Sequence, residues 1–279
     1  MASGRFGTRT RRVAREGRRR SRKGGTIYPV LFRIGEFEIT SFGVFVAVAA
    51  VVGLWLFERE RRRSGLPNHT LDAGMAGVFG GLAGAKVVWA IEHMGREGPF
   101  FDLLMSRGGL SWFGGFAGGL VAGLLVMRHH RLPILRVLAA ATPALAIAHA
   151  IGRVGCFLVG DDYGVPSDLP WAVAFPEGLP PTTIPVHPTQ LYEMLALLPL
   201  AWMLLRWRRQ GRPDRFVLGS YLVVAGAVRF FIEFLRMRES LAGPFAIAHL
   251  LSFVAFATGV VLLAMSRAQG KPLYQPSTR

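Results

Sequence analysis

The sequence places ionisable side chains at or inside long apolar segments, where hydrocarbon would penalise them. Arg153 closes one such segment, and Arg229, Glu233 and Arg236 lie within another. An ionisable group in a membrane span is costly unless it is paired or wetted, so each of these groups marks a candidate functional site. Arg229 and Glu233 are four residues apart and share a helical face, so a purely structural ion pair is the alternative. For Arg236 the structural alternative is an arginine that reaches the membrane surface.

Arg153 and Arg229 together predict a phosphate site. Two guanidinium groups facing one cavity would repel each other unless an anion lay between them. Arginine presents a rigid fork of donors and stays charged, which suits the recognition of phosphate in a low-dielectric site. In a membrane the abundant phosphate ester is a phospholipid. The residues therefore indicate a lipid-phosphate site between the fourth and sixth apolar segments, with ion transport and structural pairing as alternatives.

Further polar groups lie near these arginines. The heptad His187-Pro188-Thr189-Gln190-Leu191-Tyr192-Glu193 opens the fifth apolar segment, and we expect it to form the rim of the site. The other ionisable side chains nearby are His149, which shares a helical face with Arg153, and Asp161, Asp162 and His187.

The elements that position these groups are membrane helices. The chain has 279 residues, of which 51% are hydrophobic, and it carries repeated apolar runs of membrane-spanning length. We predict an all-α integral membrane protein with seven transmembrane helices and a small extracytoplasmic head, at residues 152–186, between spans four and five. The predicted spans cover residues 40–57, 71–91, 109–127, 134–151, 188–205, 216–235 and 245–265.

The distribution of basic residues predicts the orientation. Lysines and arginines are concentrated in the loops at 58–63, 128–136 and 206–215 and in the C-terminal tail at 267–279, which we expect in the cytoplasm. Seven spans then place the N-terminus outside. Residues 1–23 contradict this, since they hold ten lysines and arginines. Either the tail at 1–27 is a misassigned start and the protein begins near Tyr28, which we favour, or a basic tail is translocated.

Charge, cysteine content and the lack of repeats argue against several partners, sites and functions. Removing the ten bases and one acid of the tail lowers the net charge from +16 to +7, so the basicity does not indicate a nucleic-acid partner. Loop topology and anionic lipids account for the remaining positive charge. The single cysteine, Cys156, excludes an intrachain disulfide and a multi-cysteine metal site. We see no internal repeat of the kind that marks many secondary transporters.

Small residues recur in the second and third spans. Their spacing is typical of membrane helices that approach closely, and we expect most of them to serve helix packing. Gly114 and Gly115 follow Phe113 near the start of the third span. An interrupted helix end there would turn backbone amides toward a ligand, which is tolerated where the site is polar.

From about Tyr28 to Met265 the chain resembles the prolipoprotein diacylglyceryl transferase family. The heptad at 187–193 is similar to the family's HPxQLYE, and residues 229–236, RFFIEFLR, are similar to its RFxxEFxR. Residues 152–164 keep the frame of the family signature GRxGNFxNGExxG. The resemblance implies a seven-span transferase domain, at 28–266, in the bacterial cytoplasmic membrane.

The resemblance also implies the reaction. The family transfers the diacylglyceryl group of phosphatidylglycerol to the thiol of a lipobox cysteine in a preprolipoprotein, which forms a thioether and releases glycerol phosphate. Arg153 would bind the phosphate, Arg229 would share its charge, and Glu233 would hold Arg229. We expect membrane lipids as partners and neither a metal nor a cofactor. The implied substrate contacts are Arg153, Arg229, Gly114, Gly115, Gly164, His187, Gln190, Tyr192 and Glu193.

Several polar positions of the family differ in this chain. The family's third-span histidine is Phe113, its first-span tyrosine is Phe42, two signature asparagines are Cys156 and Val159, and the signature glutamate is Asp161. The thiol that the resemblance implies as nucleophile needs a base or a positive field, because the thiolate is the reactive form. If the family histidine is that base, this chain must use another group or the field of the arginines. The candidates for the base are His149, Asp161, Asp162 and His187. A divergent paralogue with another acceptor or lipid, and a protein that binds or flips anionic lipid, are therefore the alternative hypotheses.

Overall fold

The computed structural model of the chain describes residues 30–34, 37–106, 109–236 and 247–268. In these residues the fold is helical, with two small sheets. The elements in order are β1 (Val30–Ile34), β2 (Phe37–Thr40), α1 (Ser41–Arg63), α2 (Thr70–His93), α3 (Phe100–Met105), α4 (Trp112–His129), α5 (Ile134–Val159), β3 (Val173–Phe175), β4 (Thr182–Val186), α6 (Thr189–Arg209), α7 (Asp214–Leu235) and α8 (Ile247–Ala268). The predicted tail at 1–27 and most of that at 267–279 lie outside the described residues.

Each predicted span falls on a long helix, which confirms the prediction of a helical membrane protein. Five of the described helices, α1, α2, α5, α7 and α8, contain a stretch long and apolar enough to cross a membrane. The other two long helices end in basic residues, α4 in Arg128 and His129 and α6 in a run of arginines. The count of seven spans therefore stays a prediction.

Helix α5 runs further than predicted. The apolar pattern ends at Ile151, but the helix continues to Val159 and includes Arg153 and Cys156. The non-helical stretch before α6 consequently begins at Gly160 rather than at Gly152. Two antiparallel hairpins were also not predicted: β1 pairs with β2 ahead of α1, and β3 pairs with β4 between α5 and α6.

The chain divides into two compact units, each described here by itself. Of the described residues, unit one comprises those within Met1–Ala49, His149–Leu198 and Val224–Phe256, and unit two those within Ala50–Ala148, Pro199–Val223 and Ala257–Arg279. Because the division falls inside α1, α5, α6, α7 and α8, these helices contribute residues to both units.

Unit two contains a buried apolar core and a close helix contact. The core is formed by Leu56, Phe57, Leu66, Ala73, Met127, Leu132, Val137, Ala140 and Ala144. The glycines of α2 and α4 face each other, and a Cβ added to Gly84 would lie 2.9 Å from the Cα of Gly118. This contact confirms the prediction that small residues allow these helices to approach closely.

In unit one, Thr40 caps the start of α1. The Oγ1 of Thr40 accepts a hydrogen bond of 3.2 Å from the amide of Gly43. A small core lies under the strands that join α5 to α6. The rings of Tyr163 and Phe175 stack with centroids 5.4 Å apart beside the buried Val186. Burial of a side chain such as Phe175, which is 0% exposed, stabilises the fold by about 2 kcal/mol.

Candidate active site

The polar residues singled out in the sequence converge in unit one from three segments. Helix α5 presents His149, Arg153 and Cys156 at spacings of four and three residues, hence on one face. Helix α6 begins immediately after Pro188 and buries the side chains of its first turns. The buried polar residues of that helix start are Thr189, Gln190 and Glu193.

Three arginines and three carboxylates alternate in a closed arrangement, here called the charge ring. Its members in order are Arg153, Asp162, Arg236, Glu233, Arg229 and Glu193. On one side of the ring, Glu193 Oε2 lies 2.6 Å from Arg153 Nε, and Glu193 Oε1 lies 3.8 Å from Arg229 NH1. Glu193 therefore stands between the two arginines for which the sequence analysis required an anion.

Helix α7 and the loop after α5 complete the ring. Arg229 NH2 lies 2.8 Å from Glu233 Oε2, as the four-residue spacing predicts. Glu233 Oε2 also lies 3.4 Å from Arg236 NH1, and Arg236 pairs with Asp162. Asp162 Oδ2 in turn lies 3.0 Å from Arg153 NH1. Each charge in the ring has an opposite charge on both sides. With three arginines and three carboxylates, the formal charge of the ring is zero.

The ring is buried at one side and open at the other. The side chains of Glu193 and Arg153 are 2% and 6% exposed, whereas those of Arg236 and Asp162 are 19% and 38% exposed. An incoming anion would thus meet the Asp162 side first. At the buried side, removing one partner would leave an uncompensated charge in a low-dielectric environment, which is strongly destabilising.

The structure changes three expectations about these residues. The structure places a carboxylate of the protein, Glu193, between Arg153 and Arg229, so their approach does not require a phosphate. The heptad that contains Glu193 is accordingly part of the buried centre and not only a rim. Arg236, for which the alternative was a side chain that reaches the membrane surface, pairs with Glu233 and Asp162. The pairings of Glu193 with Arg153 and Arg229, and of Asp162 with Arg236, could not be deduced from local spacing, because each joins distant segments. The Glu233–Arg236 pair, by contrast, has a local three-residue spacing.

The loop after α5 is attached to the start of α6. The Oγ1 of Thr189 donates a hydrogen bond of 2.7 Å to the carbonyl oxygen of Asp162, and Gln190 Nε2 donates to the carbonyl oxygen of Asp161. The amide of Gly164 donates to the carbonyl oxygen of His187 at 2.8 Å. A Cβ at Gly164 would lie only 2.8 Å from the Cβ of His187, so only glycine fits at this point.

His149 and Asp161 lie beside the ring. His149 Nε2 is 3.8 Å from Glu193 Oε1 and has no hydrogen-bond partner among the described residues. Asp161 is next to Cys156, and burial raises the pKa of its carboxyl group, while the hydrogen bond with Cys156 and the charges of Arg153 and Arg236 lower it by less. Both groups therefore lie next to members of the charge ring.

His187 contacts the aromatic residue Tyr192, which in turn contacts Trp171. Trp171 Nε1 donates a hydrogen bond of 2.8 Å to the hydroxyl oxygen of Tyr192, which lies 3.1 Å from His187 Nδ1. A hydroxyl that accepts from Trp171 is free to donate to His187, so this nitrogen acts as an acceptor. Trp171 was not singled out in the sequence, because a tryptophan in a loop carries no spacing signal.

One cluster in the described residues has the donor set of a metal site. The ligand atoms of Cys156, Asp161 and Asp162 lie within 4.8 Å of one another. However, Asp162 already pairs with Arg153 and Arg236, so a cation would meet two positive charges. The donors do not favour a metal, and the absence of a metal in the reaction stays a prediction.

Gly114 and Gly115 belong to unit two and pack against α2. Helix α4 begins at Trp112, and the amide of Gly115 donates to the carbonyl oxygen of Ser111 at 3.0 Å. That amide is therefore used by the helix and is not turned toward a ligand, contrary to our interpretation. A Cβ on Gly114 would lie 2.6 Å from Val88 Cβ, which explains the glycine by helix packing. Phe113 lies in the same helix.

Phe42, the second aromatic substitution, lies in unit one. A Cβ on Gly155 of α5 would be 3.5 Å from the Cα of Phe42 and 2.8 Å from the Cβ of Phe45. The start of α1 thus packs against the turn of α5 that carries Cys156. Phe42 occupies space at this contact, where a tyrosine would add a hydroxyl group.

The helices and the charge ring define a helical membrane protein with a charged centre. The family model of prolipoprotein diacylglyceryl transferase matches residues 29–265 of the chain. The chain therefore belongs to the prolipoprotein diacylglyceryl transferase family.

Relatives of similar length support this assignment. A phosphatidylglycerol–prolipoprotein diacylglyceryl transferase of Geobacter sulfurreducens is 30% identical over 252 residues, which cover 86% of this chain and 95% of the relative. The protein of that name from Thermosynechococcus vestitus is 32% identical over 251 residues, covering 86% and 93% of the two chains. One from Synechococcus elongatus is 32% identical over 246 residues, covering 84% and 85%.

Proposed function

We propose that this protein transfers the diacylglyceryl group of phosphatidylglycerol to the thiol of a lipobox cysteine in a preprolipoprotein, forming a thioether and releasing glycerol phosphate. The observation that carries the proposal is the charge ring in a member of this family: three arginines, fixed by carboxylates, at one end of three membrane helices. The relatives are named for the same lipid and the same class of acceptor.

The reaction creates negative charge on the phosphate. The thiolate sulfur attacks the glycerol carbon that bears the phosphate, a carbon–sulfur bond forms, and the carbon–oxygen bond to the phosphate breaks. The phosphodiester monoanion leaves as a phosphate monoester that carries one further negative charge. Donors already aimed at that charge lower the barrier because they do not need to reorganise.

Arg153 is the best placed of the three arginines for this role. Its Nε pairs with Glu193 and its NH1 with Asp162, so both edges of the guanidinium are oriented before any ligand arrives. Arg229 is oriented in the same way by Glu193 and Glu233. We infer that Arg153 binds the phosphate, that Arg229 shares its charge, and that Glu193 and Glu233 are positioning residues.

The substrate thiol must lose its proton, and we infer that His149 accepts it. Its Nε2 lies 3.8 Å from Glu193, whose negative charge would stabilise the imidazolium that forms. Asp162 is a weaker candidate because it is shared between two arginines, and His187 because it contacts Tyr192. Asp161, whose pKa is raised by burial, is the reserve base. A His149→Gln variant should lose the acidic limb of the pH–rate profile.

We also propose seven spans, with α4 and α6 crossing the bacterial cytoplasmic membrane beside the five more apolar helices. The support is the concentration of arginine at the ends of α1, α4 and α6, which indicates cytoplasmic ends. The head between α5 and α6 is then extracytoplasmic, as are the N-terminus and the site. The test is the labelling, in intact cells, of cysteines introduced at Ser167 and Gln210. The cysteine at position 167 should be labelled from outside and that at position 210 should not. Labelling at position 210 rather than 167 would contradict the proposed orientation.

Mass spectrometry tests the activity directly. Full-length protein in proteoliposomes that contain phosphatidylglycerol should add one diacylglyceryl group to a lipobox peptide and release one glycerol phosphate for each thioether. An Arg153→Ala variant should abolish transfer, whereas the exposed Arg206→Ala should not change it. Transfer that survives the loss of Arg153 would overturn its role. Movement of lipid between leaflets without release of glycerol phosphate would instead favour a flippase.

The changed family positions define a second candidate function. Cys156 and Val159 are buried where the family signature has asparagines, and Phe113 stands at the histidine position. A divergent transferase with another acceptor or lipid would account for them. Expression in a strain depleted of its own transferase separates the two: restored lipoprotein maturation supports the proposal, and failure despite normal expression supports divergence.

A further inference from the structure

Asp162 differs from the other carboxylates of the charge ring. Glu193 and Glu233 lie on helices and are 2% and 7% exposed, but Asp162 lies in a loop and its side chain is 38% exposed. Its backbone is in the left-handed region, with a φ of 58°, which aspartate tolerates better than most residues. Asp162 also falls on a position that the family signature leaves open.

Asp162 occupies the donors that a phosphate would use. Its carboxylate bridges Arg153, at 3.0 Å from NH1, and Arg236. Carboxylate and phosphate are the two anions that a guanidinium fork recognises. On the open side of the ring, therefore, a lipid phosphate and the Asp162 carboxylate would compete for the same two arginines.

The exchange of these anions would conserve charge. With Asp162 in place, the ring holds three positive and three negative charges. A phosphodiester carries one negative charge, so its entry as Asp162 leaves keeps the ring neutral. Displacement of Glu193 would instead expose the buried end of the ring, which is strongly unfavourable.

The movement required is small. The carbonyl oxygen of Asp162 is held by Thr189, and the preceding carbonyl oxygen by Gln190. The backbone can thus stay in place while the partly exposed side chain rotates between staggered positions. The same rotation would return the carboxylate to the arginines after the reaction and oppose retention of the product.

We propose that Asp162 is an internal substitute for the lipid phosphate: it occupies Arg153 and Arg236 in the resting protein, is displaced by the phosphate of the substrate, and sets the affinity for substrate and product. This inference rests on the proposed function. When an internal group occupies a site for most of the time, the apparent affinity for the ligand is reduced. It falls in proportion to the fraction of protein molecules whose site is open to the ligand. Asp162 thus weakens binding of the substrate and speeds release of the product.

The test uses the full chain in detergent micelles without acceptor peptide. Asp162→Asn keeps the shape and removes the charge, and Asp162→Gly removes the side chain where glycine is favoured by the positive φ, which protects folding. Both variants should bind dioctanoyl phosphatidylglycerol and free glycerol phosphate about tenfold more tightly than the wild type. Dioctanoylglycerol, which lacks phosphate, should bind all forms equally.

The matched control is Asp168→Asn, which removes an exposed carboxylate of the same loop and should leave both affinities unchanged. Asp162→Glu, which retains an internal anion, should stay close to the wild type. In the transfer reaction, Asp162→Asn should lower KM for phosphatidylglycerol and strengthen inhibition by glycerol phosphate. A residue that only stabilises the loop would lower the melting temperature without tightening either ligand.

Three outcomes overturn different claims. If the wild type forms no thioether, the proposed function fails, whatever the Asp162 variants bind. If the wild type transfers but folded Asp162→Asn and Asp162→Gly bind glycerol phosphate no more tightly, only the role of Asp162 fails. Tighter binding of glycerol phosphate without tighter binding of phosphatidylglycerol would contradict displacement by the lipid and assign Asp162 to product release alone.

Discussion

The charge ring of unit one and a second polar cluster in unit two use the same residue types differently. The second cluster, here called the Glu60 cluster, consists of Glu60, Arg63, Ser64, Arg208 and Asp214. Its centre is the 2% exposed side chain of Glu60, 3.0 Å from Arg208 Nε and 3.6 Å from Arg63 NH1. Arg208 also pairs with Asp214 at 3.4 Å and donates to the hydroxyl of Ser64.

The partners of the arginines distinguish the two regions. Around the Glu60 cluster, Arg136 donates to the carbonyl oxygen of Ser64, and Arg61 NH1 donates to that of Leu66 at 2.6 Å. Cations near the end of a helix that satisfy its last carbonyl groups stabilise that end. In the charge ring, the arginines face carboxylates contributed by three segments, one of which is partly exposed. The first arrangement closes a helix end, whereas we propose that the second exchanges an anion.

The largest effect is expected from replacement of the central glutamates of the two regions, Glu193 and Glu60. Glu193→Gln removes the buried negative charge that lies between Arg153 and Arg229, and we expect a loss of about 3–5 kcal/mol of stability together with loss of transfer. Glu60→Gln should destabilise the protein comparably, but transfer per folded molecule should persist. Chemical unfolding in detergent micelles measures the free energy of unfolding, and the transfer rate per folded molecule measures the activity. Equal loss of activity in the two variants would remove the functional distinction.

Replacement of arginine by lysine sharpens the comparison. Arg153→Lys keeps the charge but loses the fork that pairs with Glu193 and Asp162, so kcat should fall by about 100-fold. Arg208→Lys in the Glu60 cluster should change kcat less than about threefold, because we expect its donors to serve the fold. Thioether formation measured by mass spectrometry decides between them. A lysine at position 153 that supports full turnover would show that charge alone suffices.

A smaller effect is expected from Asp161, next to the ring. Burial raises the pKa of its carboxyl group above the ordinary 3.8, so the folded protein favours the protonated form. The stability that this preference contributes is complete below the unfolded pKa and is lost as pH rises through the folded pKa. Asp161→Asn, which is neutral at every pH, should therefore melt a few degrees higher than the wild type at pH 7. The difference should vanish once the pH falls below the unfolded pKa, and a lower melting temperature at pH 7 would contradict the burial argument.

The smallest effect should come from the periphery of the Glu60 cluster. Arg62 is 74% exposed and pairs with Glu58 at 2.5 Å. Exposed ion pairs contribute little, so Arg62→Ala should change the free energy of unfolding by less than about 0.5 kcal/mol and leave transfer unaffected. The same unfolding and transfer assays apply. A large loss would mean that the pair orders the end of α1.

The sequence predicted the helices well where apolar residues continue and less well where polar groups intervene. The prediction stopped the fourth span at Ile151, because Gly152 and Arg153 interrupt the apolar pattern. In the structure α5 continues, since Arg153 is neutralised by Glu193 and Asp162. The short hairpins and α3 were missed for a related reason: they contain too few residues to establish a periodicity.

By itself the sequence determined the helical membrane class, the family and the local Arg229–Glu233 pair, because composition, motifs and a four-residue spacing are properties of neighbouring residues. Only the tertiary structure decided that Glu193 stands between Arg153 and Arg229, and that Asp162 links Arg153 to Arg236. These contacts join residues up to 74 positions apart. Their geometry depends on how three helix ends meet, which no local pattern encodes.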